Sequence, residues 1–268
     1  MNKLFRTMLA GWVFFVVGGA CADDMKKESI ARSCQKTSPI TRNVLVELFT
    51  SDGCDSCPPA NKWLSSAVRG GDKGLIPISM HVTYWNQLGW KDGFSKAFFD
   101  DRQDSYARQA INKFSYTPEL FLNAREWRGW KNGGRNEIAD AEKESSPISI
   151  NLVATRLDNG NLSVETTISP DKGAPKVDLS AARLYVLLYE DDLTEHPNAG
   201  ELKNVLLKHD HVIRDWKITD AIPSGKAVSG AFSIAADWNP KKMGVVAFVQ
   251  SNDLKSIYQV IDLPLCFQ

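Results

Sequence analysis

Val44-Leu45-Val46-Glu47-Leu48-Phe49, then Thr50-Ser51-Asp52-Gly53, then Cys54-Asp55-Ser56-Cys57, then Pro58-Pro59-Ala60-Asn61-Lys62-Trp63-Leu64 form one continuous stretch. Its first part is β-branched and apolar and reads as a buried strand. Its second part is a glycine-containing turn, and its last part reads as a helix that opens on proline. Between turn and helix stands C-x-x-C, and that placement points to redox chemistry rather than to a metal finger. At a helix N-terminus a cysteine meets unpaired N–H groups and the positive end of the dipole, both of which favour a thiolate. Cys54 is expected to be the exposed attacking thiol and Cys57 the resolving one.

Asp55 works in the opposite sense. A carboxylate ~6 Å from a thiolate opposes it by roughly 0.7–2.8 kcal/mol, depending on the effective dielectric. The helix end returns only about 0.3–1 kcal/mol. The balance predicts a Cys54 thiol little more acidic than a free one, and so a reductant or isomerase rather than a strong oxidant. The competing reading makes Cys54–Cys57 a structural disulfide without catalytic use.

The chain opens with Lys3 and Arg6, an apolar run over 8–17, and small residues ending at Ala20-Cys21-Ala22. This predicts a signal peptide over residues 1–22 with cleavage after Ala22, and therefore a periplasmic or secreted protein in a disulfide-permitting compartment. A rival reading lipidates Cys21. No transmembrane span is expected in the mature chain. Lysine plus arginine (32) equal aspartate plus glutamate (32), and losing the leader leaves a slightly acidic protein, which argues against nucleic acid as a partner.

After a polar lead-in segment over 23–41, strand and helix signals alternate through residues 42–146. Leu75 to Val82 reads as a second buried strand, and a helix follows Ser95. A hairpin turns at Ala124-Arg125, and a last helix covers about 136–143. From Pro147 the pattern becomes a series of short strands with period two. Asp158-Asn159-Gly160-Asn161 is a strong turn between two of them. The expected architecture is an α/β domain followed, over 147–268, by an antiparallel all-β sandwich.

Val44 to Glu47 before C-x-x-C, together with Thr117-Pro118 before the hairpin, resembles the thioredoxin fold. The longer string Val46 to Ala60, with His81 to Asp92, Tyr116-Thr117-Pro118 and Leu207 to Arg214, is similar to DUF1223, a family of bacterial secreted thioredoxin-like proteins. The resemblance implies a cis Pro118 facing the cysteines, with Thr117 and Pro118 presenting backbone to a substrate. It also implies that Glu47, behind the buried cysteine, shuttles its proton. The alternative for Glu47 is an ordinary salt bridge, since a buried carboxylate is costly unless paired or used. Where the family pattern has acids, this chain has Thr83 and Asn86.

His81 ends the second strand. With both thiolates it would suit Cu(I), which makes a copper-binding protein using Cys54, Cys57 and His81 the alternative to an enzyme. Without that, no metal or other cofactor is expected. His209 and His211, flanking Asp210, read as structural residues facing one side of a strand. Cys34 and Cys266, near the two ends of the chain, are expected to form a structural disulfide. The reading that follows is a thiol–disulfide oxidoreductase acting on protein thiols or disulfides, or with a redox donor protein. A further alternative is an interaction protein whose β-sandwich supplies the function.

Overall fold

The structure is a computed structural model and describes residues 33–267, apart from 73, 111, 112, 172 and 221. The leader over 1–22, with Cys21, lies outside the described residues, as do residues 23–32 of the lead-in. Residues 33–41 do not stay loose: Ser33–Thr37 is the first strand.

The strands in chain order are β1 (Ser33–Thr37), β2 (Val44–Thr50), β3 (Leu75–His81), β4 (Glu119–Leu122), β5 (Arg125–Glu126), β6 (Ile148–Arg156) and β7 (Leu162–Pro170). Then follow β8 (Ala182–Glu190), β9 (Leu193–Glu195), β10 (Leu207–His209), β11 (Val212–Asp220), β12 (Ala227–Phe232), β13 (Met243–Ser251) and β14 (Ile257–Pro264). The helices are α1 (Pro58–Arg69), α2 (Ala97–Ala107) and α3 (Arg135–Ala141).

One eight-stranded mixed sheet, ordered β14-β13-β8-β11-β3-β2-β4-β5, dominates the protein. A second sheet, β1-β6-β7-β12, is antiparallel, and β9 and β10 form a small ribbon. β2 and β3 run parallel, as α1 between them requires. β11 then joins β3 in parallel at Val212–Ser79, with the Ser79 N–H donating to the His211 carbonyl at 2.9 Å.

This overturns the expected thioredoxin-like α/β domain followed by an antiparallel all-β sandwich. With 40% strand and 19% helix the protein is mostly β. The edge of β3 is closed by a strand from the far half of the chain, so one sheet passes through both halves. A sandwich survives in part. The four-stranded sheet packs on one face of β8, β13 and β14 through Ile150, Leu152, Val164, Leu184, Leu188, Val245 and Ala247, all buried.

Period two sorts β2 onto two faces. Val44, Val46 and Leu48 pack with Ala60 and Leu64 of α1, whereas Leu45 and Phe49 pack with Phe99 and Tyr106 of α2. α1 therefore lies on the face that carries the four-stranded sheet, and α2 covers the other. α1 begins with prolines in its first turn, buries Ala60, Asn61 and Leu64 at helical spacing, and ends at Gly70 with the Gly71 backbone at φ +72°. The hairpin of β4 and β5 turns at Asn123-Ala124, both at positive φ, one residue earlier than expected. The second strand is short because residues 129–132 coil into a 3-10 turn.

Cys34 of β1 and Cys266 beyond β14 are bridged, tying the two sheets together across 232 positions of sequence.

Candidate functional site

The ends of β2 and β3 and the start of α1 converge on one place. Beyond Thr50 the chain turns through Ser51-Asp52-Gly53. Gly53 fits closely there, since a Cβ would stand 3.1 Å from the Trp85 Cβ. Cys54 and Cys57 are joined in a disulfide, and both are fully buried. Cys57 is the N-cap of α1, its carbonyl accepting from the N–H groups of Ala60 and Asn61. The expected exposed Cys54 thiol is thus corrected: it is covered, and only Asp55 and Ser56 of the bridge are exposed. Ser56 Oγ lies 3.4 Å from Cys54 Sγ, and the Asp55 N–H donates to Glu201 Oε2 at 3.4 Å.

Thr117 and Pro118, joined by a cis peptide, are half-buried at the same end of the sheet. The β2–β4 ladder pairs Phe49 with Glu119, so one step further Pro118 comes opposite Thr50.

Glu47 belongs elsewhere. It shares the α2 face with Leu45 and Phe49, away from α1 and its N-cap. Its carboxylate accepts from Arg102 Nε and from the Tyr106 hydroxyl, each at 2.6 Å. Arg102 also donates to Gln250 Oε1 at 3.2 Å and lies over the rings of Tyr106 and Tyr185. Burial works against its charge, but Glu47 holds the guanidinium protonated well above its ordinary range. The paired reading of Glu47 describes this geometry, and a proton route from it to Cys57 would have to cross the sheet.

His81 faces the α1 side, with Thr50 as its cross-strand neighbour. Its Nδ1 is 2.7 Å from Asp92 Oδ2. That oxygen also accepts from the Asp52 N–H at 2.9 Å, while Asp92 Oδ1 accepts from the Phe94 N–H at 2.8 Å. Burial disfavours a charged His81, yet Asp92, and then Asp52, outweigh it and raise its pKa; the same pairing lowers that of Asp92. Asn86 steadies this loop, accepting from the Asp92 N–H and donating to Ser95 Oγ, both at 3.0 Å. Thr83 is bonded to Asp100 through its N–H and hydroxyl. The two residues that depart from the family pattern therefore both hold loop structure.

His209 comes from β10, and its ring centroid is 4.9 Å from that of His81. Its Nε2 is 3.0 Å from Asp52 Oδ1. His211, at φ +50°, turns away to stack on Tyr189 and to meet Asp191 at 2.9 Å, so the two histidines do not share a side as expected. Asp52, His81 and His209 can each offer one ligand atom within 4.8 Å of the others, and all three are buried. Of the set Cys54, Cys57 and His81, both sulfurs are joined in the disulfide here. Both carboxylate oxygens of Asp52, Nε2 of His81 and both ring nitrogens of His209 have no hydrogen-bond partner. A buried polar atom without any partner costs about 1–3 kcal/mol, a cost that the 3.0 Å approach of His209 Nε2 to Asp52 Oδ1 relieves only for those two atoms.

A cleft of about 420 Å³ runs between α1 and residues 205–209, with Pro58, Asn61, Arg69, Leu206 and His209 among its walls. It touches the first turn of α1 at Pro58 and reaches His209.

Residues 45–250 match the family described as protein of unknown function, DUF1223. The chain belongs to DUF1223. No match was found among curated proteins. A solved structure of similar fold is that of a protein from Agrobacterium tumefaciens, 22% identical, with a TM-score of 0.59 over 84% of this chain and 96% of that one. HBP35 of Porphyromonas gingivalis is 18% identical, with a TM-score of 0.61 over 85% of this chain and 76% of that one. At these identities the likeness is one of fold. Among the described residues of this DUF1223 chain no helix is long and apolar enough to cross a membrane.

No local pattern in the sequence marks Asp92, Arg102, Glu119 or the pairing of His81 with His209 as parts of this arrangement. Only Asp52, inside the turn before C-x-x-C, carried a local signal. Glu119 follows Pro118, is buried, and accepts from Gln103 Nε2 at 2.7 Å; burial pushes its carboxyl up to about 7 from 4.5. An acid with a raised folded pKa contributes stability that is complete below about 4.5 and lost as pH rises through about 7. The DUF1223 protein is thus expected to lose Tm between pH 5 and 8 by more than its Glu119→Gln variant does. Parallel Tm–pH curves for the two proteins would remove Glu119 as the cause.

Proposed function

We propose that this protein is an extracytoplasmic thiol–disulfide oxidoreductase that cycles the Cys54–Cys57 bridge against protein thiols or disulfides. The observation that carries this reading is the position of the bridge, in the turn that ends at the N-cap of α1. In the reductive direction the Cys54 thiolate attacks a substrate disulfide, forming a mixed disulfide and expelling one substrate thiolate. Cys57 then attacks Cys54 Sγ, closing the bridge and releasing the second substrate thiolate. In the oxidative direction a substrate thiolate attacks Cys54 Sγ and Cys57 leaves as a thiolate, which the positive end of the α1 dipole favours; a second substrate thiolate then attacks the mixed disulfide and releases Cys54 as a thiolate. In this reading Thr117 and Pro118, half-buried at the same end of the sheet, line the substrate side. Glu47 has no part in these steps. Two disulfides support the extracytoplasmic location, since such bonds persist in oxidising compartments.

The burial of both sulfurs favours a second reading, in which the bridge only holds the turn. Cys57→Ser is expected to accumulate a mixed disulfide through Cys54 when incubated with glutathione disulfide or a disulfide-containing protein, and Cys54→Ser to lack turnover in a disulfide-reduction assay. A bridge that resists millimolar dithiothreitol until the protein unfolds would leave the structural reading standing.

A further inference from the structure

We propose that Asp52, His81 and His209 form a buried site for one divalent transition-metal ion of the zinc type, immediately before the C-x-x-C turn. The three side chains come from the β2–α1 turn, the end of β3 and the end of β10, and meet on the α1 face of the sheet. Their unpartnered atoms point to a common ligand. His209 Nε2 and Asp52 Oδ1 are 3.0 Å apart, yet neither atom counts a hydrogen bond, so they are close without an N–H aimed at the oxygen. Two ligand atoms of a tetrahedral ion lie about 3.3 Å apart, at metal distances of about 2.0–2.1 Å.

His81 is prepared in the way metal-binding histidines usually are. Its Nδ1 is engaged by Asp92 at 2.7 Å and lies 3.9 Å from Asp52 Oδ1, which leaves Nε2 as the unpartnered ring nitrogen. Asp92 is itself fixed by the N–H groups of Asp52 and Phe94, so it acts as a positioning residue rather than as a ligand. Phe94 packs edge-on against both imidazoles, 5.3 and 5.8 Å between centroids, and closes the site on one side. Two imidazoles and one carboxylate suit zinc and its neighbours. Calcium and magnesium ask for oxygen ligands, and Cu(I) for sulfur that the oxidised bridge does not offer. The negative charges of Asp52 and Asp92 match a dication. Three protein ligands leave a fourth position, as in zinc sites that bind water or substrate.

The test uses the full chain with both disulfides intact, dialysed against micromolar Zn²⁺ and assayed for bound metal. One equivalent per chain is expected. It should be retained when Cys54 and Cys57 are both changed to serine, which separates this site from thiolate binding and from the redox reading. His81→Gln and His209→Gln should each lose stoichiometric binding, and Asp92→Asn should weaken it about 10- to 100-fold. Zn²⁺ should also raise the Tm of the wild type and leave that of His209→Gln unmoved. Should those variants fail to fold, the Co²⁺ spectrum of the wild type decides. Tetrahedral visible bands without a sulfur charge-transfer band support the site. No bands, a sulfur band, or full binding by His209→Gln overturns it.

Discussion

Arg102→Met is expected to lower the stability of the protein by about 3–5 kcal/mol, because it leaves the Glu47 carboxylate buried and unpaired. For a chain of this size that corresponds to a fall in Tm of roughly 6–20 °C. Arg102 is almost fully buried, donates at 2.6 Å to a completely buried carboxylate, and is sandwiched by aromatic rings from α2, β8 and β13. The pair therefore joins four elements, β2, α2, β8 and β13, that are distant in sequence. Adding Glu47→Gln should restore much of the loss, since a neutral amide in that place still accepts from the Tyr106 hydroxyl at the site of its present 2.6 Å bond. Urea unfolding of the two single variants and the double variant measures the coupling. Losses that simply add would show that the pair is not a unit.

The second large effect lies at the other end of the molecule. Replacing Cys34 and Cys266 together by alanine should cost about 2–5 kcal/mol and lower the Tm by roughly 4–20 °C. The bridge closes almost the whole described chain, 232 positions apart, and pins β1, an edge strand of the four-stranded sheet, to the segment after β14. Its loss should also let β1 separate first, seen as early hydrogen exchange at the amides of Ser33–Thr37 that pair with β6. Calorimetry of the double variant checks the first claim. A Tm within a degree of the wild type would contradict it.

Much of the local structure was legible in the residues themselves. The apolar run before Thr50, the proline-led start of α1, the alternation in β6 and β7 and the Asp158–Asn161 turn all depend on neighbours a few positions apart. Sterics and period suffice there. The C-x-x-C and its place before a helix were equally plain. The hairpin turn was misplaced by one residue, because it is Asn123 and Ala124 that adopt positive φ, and alanine gives no sign of that.

The sequence by itself thus determined most of the longer strands and helices, though not β1, β9 or β10, where the cysteine pair stands, and that Glu47 is buried. Only the tertiary structure decided which strands share a sheet, on which face of β2 α1 lies, and hence that Glu47 meets Arg102 instead of the cysteines. It also brought His209 to His81 and Asp52, residues spread from 52 to 209. The physical reason is the same in each case. Backbone N–H and C=O groups at the edge of β3 must find a partner, but any strand can supply one. β11 is selected because the whole core, including the four-stranded sheet and α2, packs only around that pairing, and no short stretch of residues encodes it.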